Sequence, residues 1–119
     1  MGEIPLGETK LASAMIASAF RDMRATHMTQ RICPVHEHLS FRVKAAVWLV
    51  SKDASVWFDV LGADQRTVLE RARWGDTARK LWGEILHASP TKLETSGIHP
   101  KHIRLLRSGL LALKYPVAA

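Results

Sequence analysis

Apolar residues recur along this chain at steps of three and four, and almost nowhere at steps of two. In "LASAMIASAFRDMR" the residues Leu11, Met15, Ala19 and Met23 fall on one line, widened by Ala12, Ile16 and Phe20. That spacing is one face of a 3.6-residue turn and predicts a helix over about 8–24, with the Thr9 hydroxyl as its cap. A chain patterned this way can bury its apolar residues only by packing helix on helix. The expected class is therefore all-α, a compact bundle of five or six short helices. The 119 residues, 47% of them hydrophobic, suit one core, hence a single helical domain over 1–119.

Residues 25–38, "ATHMTQRICPVHEH", have no clean period and include Pro34, so they read as a loop. Ser40 then caps a second helix over 41–50, burying Phe41, Val43, Val47 and Val50 or Leu49. Ser51 or Asp53 caps a third over 54–61, with Trp57, Phe58 and Leu61 inward. Gly62 sits where a left-handed residue ends a helix at little cost. Asp64 caps a fourth helix over 65–73. Gly75 and Asp76 repeat the stop-and-cap signal ahead of a fifth, 77–88, carrying Ala78, Leu81, Trp82, Ile85 and Leu86. "SPTKLETSG" reads as a linker. The last helix starts at Pro100, is striped by Ile103, Leu106, Leu110 and Leu113, and ends before Pro116. Trp48, Trp57 and Trp82 are assigned to the core. Trp74 is assigned there too, with stacking on a base or an interface as the alternative.

Charge narrows the function. Seventeen Lys and Arg face eleven Asp and Glu, a formal net charge of +6, with a pI near 10.0. A small domain this basic is suited to a polyanion. Against that background, "ASVWFDVL", "GAD" and "QRTVLERARW" have the layout of a helix-turn-helix over about 54–73, with Gly62 at the corner. Trp57, Leu61, Ala63 and Val68 supply its internal apolar positions. The exposed face of the second helix shows Gln65, Arg66, Thr67, Glu70, Arg71 and Arg73. Gln65, Arg66, Thr67 and Arg71 are the expected groove contacts, with Lys44, Arg73, Arg79 and Lys80 on phosphates. Two helices packed about a glycine corner, touching no DNA, are the plain alternative.

Two segments, "LASAMIASAFRDMR" and "AAVWLVSKDASVWFDVLGADQRTVLERAR", resemble a set of small, largely uncharacterised helical proteins encoded by phages, prophages and related mobile elements of proteobacteria. The likeness covers residues 11–24 and 45–73. It rests on Trp48, Leu49, Ser51, Phe58, Leu61, Gly62, Asp64, Val68 and Arg71. Gln65 stands in place of the pattern's usual Pro, and Asp59 in place of its usual Cys. The resemblance implies a helical protein of a mobile element, some members of which are suspected of binding DNA. It implies no activity.

Other chemistry is thinly represented. Cys33, His36 and His38, with His27 upstream, are zinc-ligand types at close spacing, but a strong zinc signal is two separated ligand pairs. A loop with incidental histidines and a small thiol is the preferred reading; metal binding there stays open. No paired carboxylates, phosphate-binding glycine loop or nucleotide fingerprint is present, so neither an enzyme nor a cofactor is expected. One cysteine excludes an internal disulfide and suits a reducing, cytoplasmic setting. No apolar run approaches a bilayer span, and no leader pattern opens the chain, so no membrane is expected. The C-terminal helix, about 100–114, is amphipathic, with Lys101, Arg104, Arg107 and Lys114 opposite the leucines and weakened by Gly109. It is expected to pack back on the domain, pair with its copy or meet a partner. The sequence thus predicts a DNA-binding protein, a regulator of transcription of phage or mobile-element type, paired through its first or last helix as a homodimer. The alternative is a small adaptor or inhibitor that binds a host protein.

Overall fold

The computed structural model describes residues 6–24 and 38–115. These residues form seven helices and no strand: α1 (Leu6–Arg24), α2 (His38–Leu49), α3 (Lys52–Val60), α4 (Gln65–Arg71), α5 (Trp74–His87), α6 (Pro90–Thr95) and α7 (Pro100–Ala112). The all-α expectation holds.

The middle of the fold is α2, which packs on α1, α3, α5 and α7. Its inward side chains are Val43, Ala46, Val47 and Leu49, all buried. It starts at His38 rather than Phe41. Ser40 lies within its first turn and is buried, so Ser40 is not the expected cap. Against α2, α1 presents Ala12, Ile16, Ala19, Phe20 and Met23. This face is rotated from the stripe the spacing suggested: Leu11 is 51% exposed and Met15 only half-buried. The inner face thus mixes small Ala12 and Ala19 with the larger Ile16, Phe20 and Met23.

Trp74 joins three helices. It is fully buried at the first position of α5, and its Nε1 donates to the Ala46 carbonyl at 3.1 Å. The ring edge lies over Gly109 of α7, where a Cβ would meet Trp74 Cη2 at 2.9 Å. Gly109 is therefore the residue that lets the indole seat, and Trp74 is core. Trp82 is buried as well, whereas Trp48 and Trp57 are half-buried. α7 folds back on α2 and α5, burying Leu106, Gly109 and Leu110 and leaving Lys101, Arg104, Arg107 and Lys114 exposed.

The largest departures from the expected boundaries are at α5 and in the segment before α7. α5 begins at Trp74 and runs through Gly75 and Asp76, which were expected to stop and cap. The expected linker holds α6. Leu93 N–H donates to the Ser89 carbonyl, Pro90 opens the helix, and Gly97 at φ 75° follows it. Serine–proline at the start and glycine past the end are the same residues that mark a turn.

Candidate nucleic-acid interface

The corner after α3 is built as the sequence suggested. Ser51 caps α3, its Oγ accepting from Ala54 N–H at 3.1 Å. At the far end Gly62 has φ 65°. Gly62 N–H donates to the Asp59 carbonyl and Ala63 N–H to the Phe58 carbonyl, the paired bonds of a Schellman ending. Asp64 then caps α4. Its Oδ2 accepts from the Thr67 amide at 3.0 Å and the Thr67 hydroxyl at 2.6 Å. The Thr67 hydroxyl, then its amide, hold the Asp64 carboxyl below the usual carboxylate range.

These contacts change the roles of the expected groove readers. Gln65 Nε2 donates to the Leu49 carbonyl at 2.9 Å and the Ser51 carbonyl at 3.1 Å, pinning the start of α4 to the end of α2. The Thr67 hydroxyl is committed to the cap. Arg66 Nε pairs with Glu70 Oε1 at 3.1 Å. Gln65 and Arg66 also line a small cleft, about 180 Å³, with Ala112 and Leu113 at the end of α7. α4 is only seven residues long and ends at Arg71, not Arg73. As placed, the first turn of α4 serves the fold, with the Gln65 amide nitrogen and the Thr67 hydroxyl both engaged in it.

The next corner has the opposite character. Arg73 joins α4 to α5 in a left-handed conformation, φ 58° and ψ 41°, and its side chain makes no cap. L-residues with a Cβ avoid this region. Arg24, from the end of α1, donates through Nη2 to the Ala72 carbonyl at the same joint, and its guanidinium lies 5.3 Å from the Phe20 ring centroid. Arg24 is thereby brought beside Arg71 and Arg73, a meeting no spacing argument could find across so much chain. Beyond the joint, α5 buries Trp74, Ala78, Leu81, Trp82 and Ile85. That leaves Asp76, Arg79 and Lys80 outward, lining an open depression of about 510 Å³. Arg71, Arg73, Arg79 and Lys80 are exposed, and none pairs with an acid among the described residues.

Lys44 does not join this set. Two residues before it, Arg42 reaches Glu84 of α5 at 3.0 Å. Successive residues turn by about 100°, so Lys44 leaves the far side of α2. It lines a groove with α1 instead. Lys44 also bears on His102 of α7. Burial, then the charges of Lys44, His99 and Lys101, push the His102 imidazole below its ordinary value, and its Nδ1 is buried with no hydrogen-bond partner among the described residues.

His27, Cys33 and His36 lie outside the described residues, as does the side chain of His38. Among the described residues no cluster of His, Cys, Asp or Glu could hold a metal, and no helix is long and apolar enough to cross a membrane. No family model matches the chain, and comparison with curated proteins and with solved structures finds no similar one.

Proposed function

We propose that this chain binds duplex DNA, gripping the phosphate backbone with the α4–α5 edge. The observation that carries the reading is the run of exposed cations Arg71, Arg73, Arg79 and Lys80, none ion-paired among the described residues and with Asp76 the one acid among them, joined by Arg24 beside Ala72. Guanidinium groups suit phosphate because their planar donors match its oxygens two at a time. With Gln65 and Thr67 held by the fold, backbone contact outweighs reading of bases, and discrimination between sequences is weak. The resemblance to mobile-element proteins supports a phage or prophage setting for such binding. Control of transcription or handling of the element's DNA is the role proposed there.

Binding to labelled duplex DNA across a salt series tests this. Affinity should fall steeply with salt, and Arg71→Ala and Arg73→Ala should each reduce the salt slope by about one. Arg66→Ala, which removes a side chain already paired with Glu70, should change it less. An unrelated duplex should bind nearly as well. Absence of binding at low salt overturns the proposal and turns the search to a protein partner, the adaptor reading.

A further inference from the structure

α1 and α2 enclose a groove of about 570 Å³, open to solvent and largely apolar. Met15, Phe41, Ala45 and Trp48 form its lining, none of them fully buried. Leu11 extends the same line on α1 and is 51% exposed. Leu11, Met15, Ser18 and Asp22 follow one another at steps of four, three and four, the spacing of a helix seam that meets another helix. Small Ala14 and Ser18 beside it permit close approach. Within the described residues nothing packs on this seam, although the groove it borders is largely apolar.

The groove carries one acid on the α1 wall, Asp22, and one base on the α2 wall, Lys44. They make no ion pair with each other or with any other described residue. One charge of each sign, on opposite walls of an apolar strip, is the pattern a two-fold contact needs, because each patch must complement itself. We infer that this groove is a dimer interface, occupied by the α1–α2 face of a second copy of this chain. A two-fold axis along the groove lays α1 of one copy on α2 of the other, so each Asp22 turns toward the opposite Lys44. The inference does not rest on DNA binding, since the groove contains none of the α4–α5 cations.

Sedimentation equilibrium of the full chain, without DNA, tests it. The protein should dimerise with concentration. Asp22→Lys or Lys44→Glu alone puts like charges together twice per dimer and should weaken association by about tenfold or more. The double change Asp22→Lys with Lys44→Glu should restore it. Circular dichroism melts of the same variants separate a lost contact from a lost fold. A wild-type chain that stays monomeric at its highest soluble concentration overturns the inference. So does a dimer indifferent to both reversals, which places the contact elsewhere. So does a monomer whose melting temperature drops sharply with Met15→Glu, because the groove is then covered within the chain.

Discussion

The two corners that flank α4 are made by opposite means. Between α3 and α4, Gly62 takes the positive φ, Asp64 caps, and Gln65 ties the new helix to α2. Each residue there has the chemistry its position asks for. Between α4 and α5, an arginine takes the positive φ, no side chain caps, and the glycine two residues on lies inside a helix. The first corner commits its polar groups to the fold. The second leaves its cations in solvent and relies on packing beneath the joint to hold an unfavourable backbone. Strained backbone is kept where surrounding structure over-determines it, and such places cluster at functional sites. That contrast moves the candidate site from the corner that looks like a helix-turn-helix to the one that does not.

Loss of the packing should break the second corner first. Trp74→Ala removes a fully buried indole and leaves the Ala46 carbonyl without its donor. A cost of about 3–5 kcal/mol is expected from chemical unfolding, the largest effect of any change at either corner. Gly75→Ala comes next. A Cβ at Gly75 would lie inside the Tyr115 ring, which is only half-buried and can be displaced. The expected cost is about 1–3 kcal/mol, with Tyr115 fluorescence becoming more solvent-exposed. Little change from Gly75→Ala would show that Tyr115 does not brace the joint.

What could be read from the sequence follows the same division. Ser51, Gly62 and Asp64 act through their own side chain or lack of one, on neighbours two or three residues away, so local chemistry located α3, α4 and the turn between them. The start of α5 depends on Trp74 finding Ala46 and on Gly109 making room, both distant in sequence. Local rules instead weighted Gly75 and Asp76 and put the start three residues late. α6 was missed because its start and stop residues are also turn residues. Among the site residues, exposure of Arg71, Arg73, Arg79 and Lys80 followed from period. The binding of Gln65 to two carbonyls of the preceding segment, the reach of Arg24 to Ala72 and the turning away of Lys44 are tertiary facts, with no trace in spacing.

Arg73→Gly sharpens the comparison, because it separates stability from function. Glycine relieves the left-handed conformation at the expense of unfolded-chain entropy. Stability should rise modestly, by up to about 1 kcal/mol, while DNA affinity falls and the salt slope drops by about one. The opposite change at the first corner, Gly62→Ala, should destabilise by about 1 kcal/mol at φ 65° and leave DNA affinity near wild type. If Arg73→Gly stabilises the protein and binding is unchanged, the strained arginine serves neither the fold nor the phosphate backbone, and the contrast between the corners loses its functional meaning.

The smallest expected effect is the pH dependence of the first corner. Asp64 accepts two hydrogen bonds from Thr67, and these favour its ionised form in the folded chain. A carboxyl whose folded value lies below the unfolded 3.8 contributes stability that is present above 3.8 and lost as pH falls through the folded value. Asp64→Asn keeps a capping oxygen but has no proton to gain. Acid titration of thermal stability should therefore show wild type losing its advantage over Asp64→Asn below about pH 4 and retaining it at neutral pH. His102 works in another window and with its own sign. Its folded value lies below 6.5, so the unfolded chain binds the extra proton and stability rises as pH climbs toward 6.5. Lys44→Glu should shrink that rise by turning one repulsive neighbour into an attractive one, whereas Asp64→Asn should leave it alone. A variant at either position that altered both windows would show the two regions to be coupled through α2, which contacts the helices on both sides.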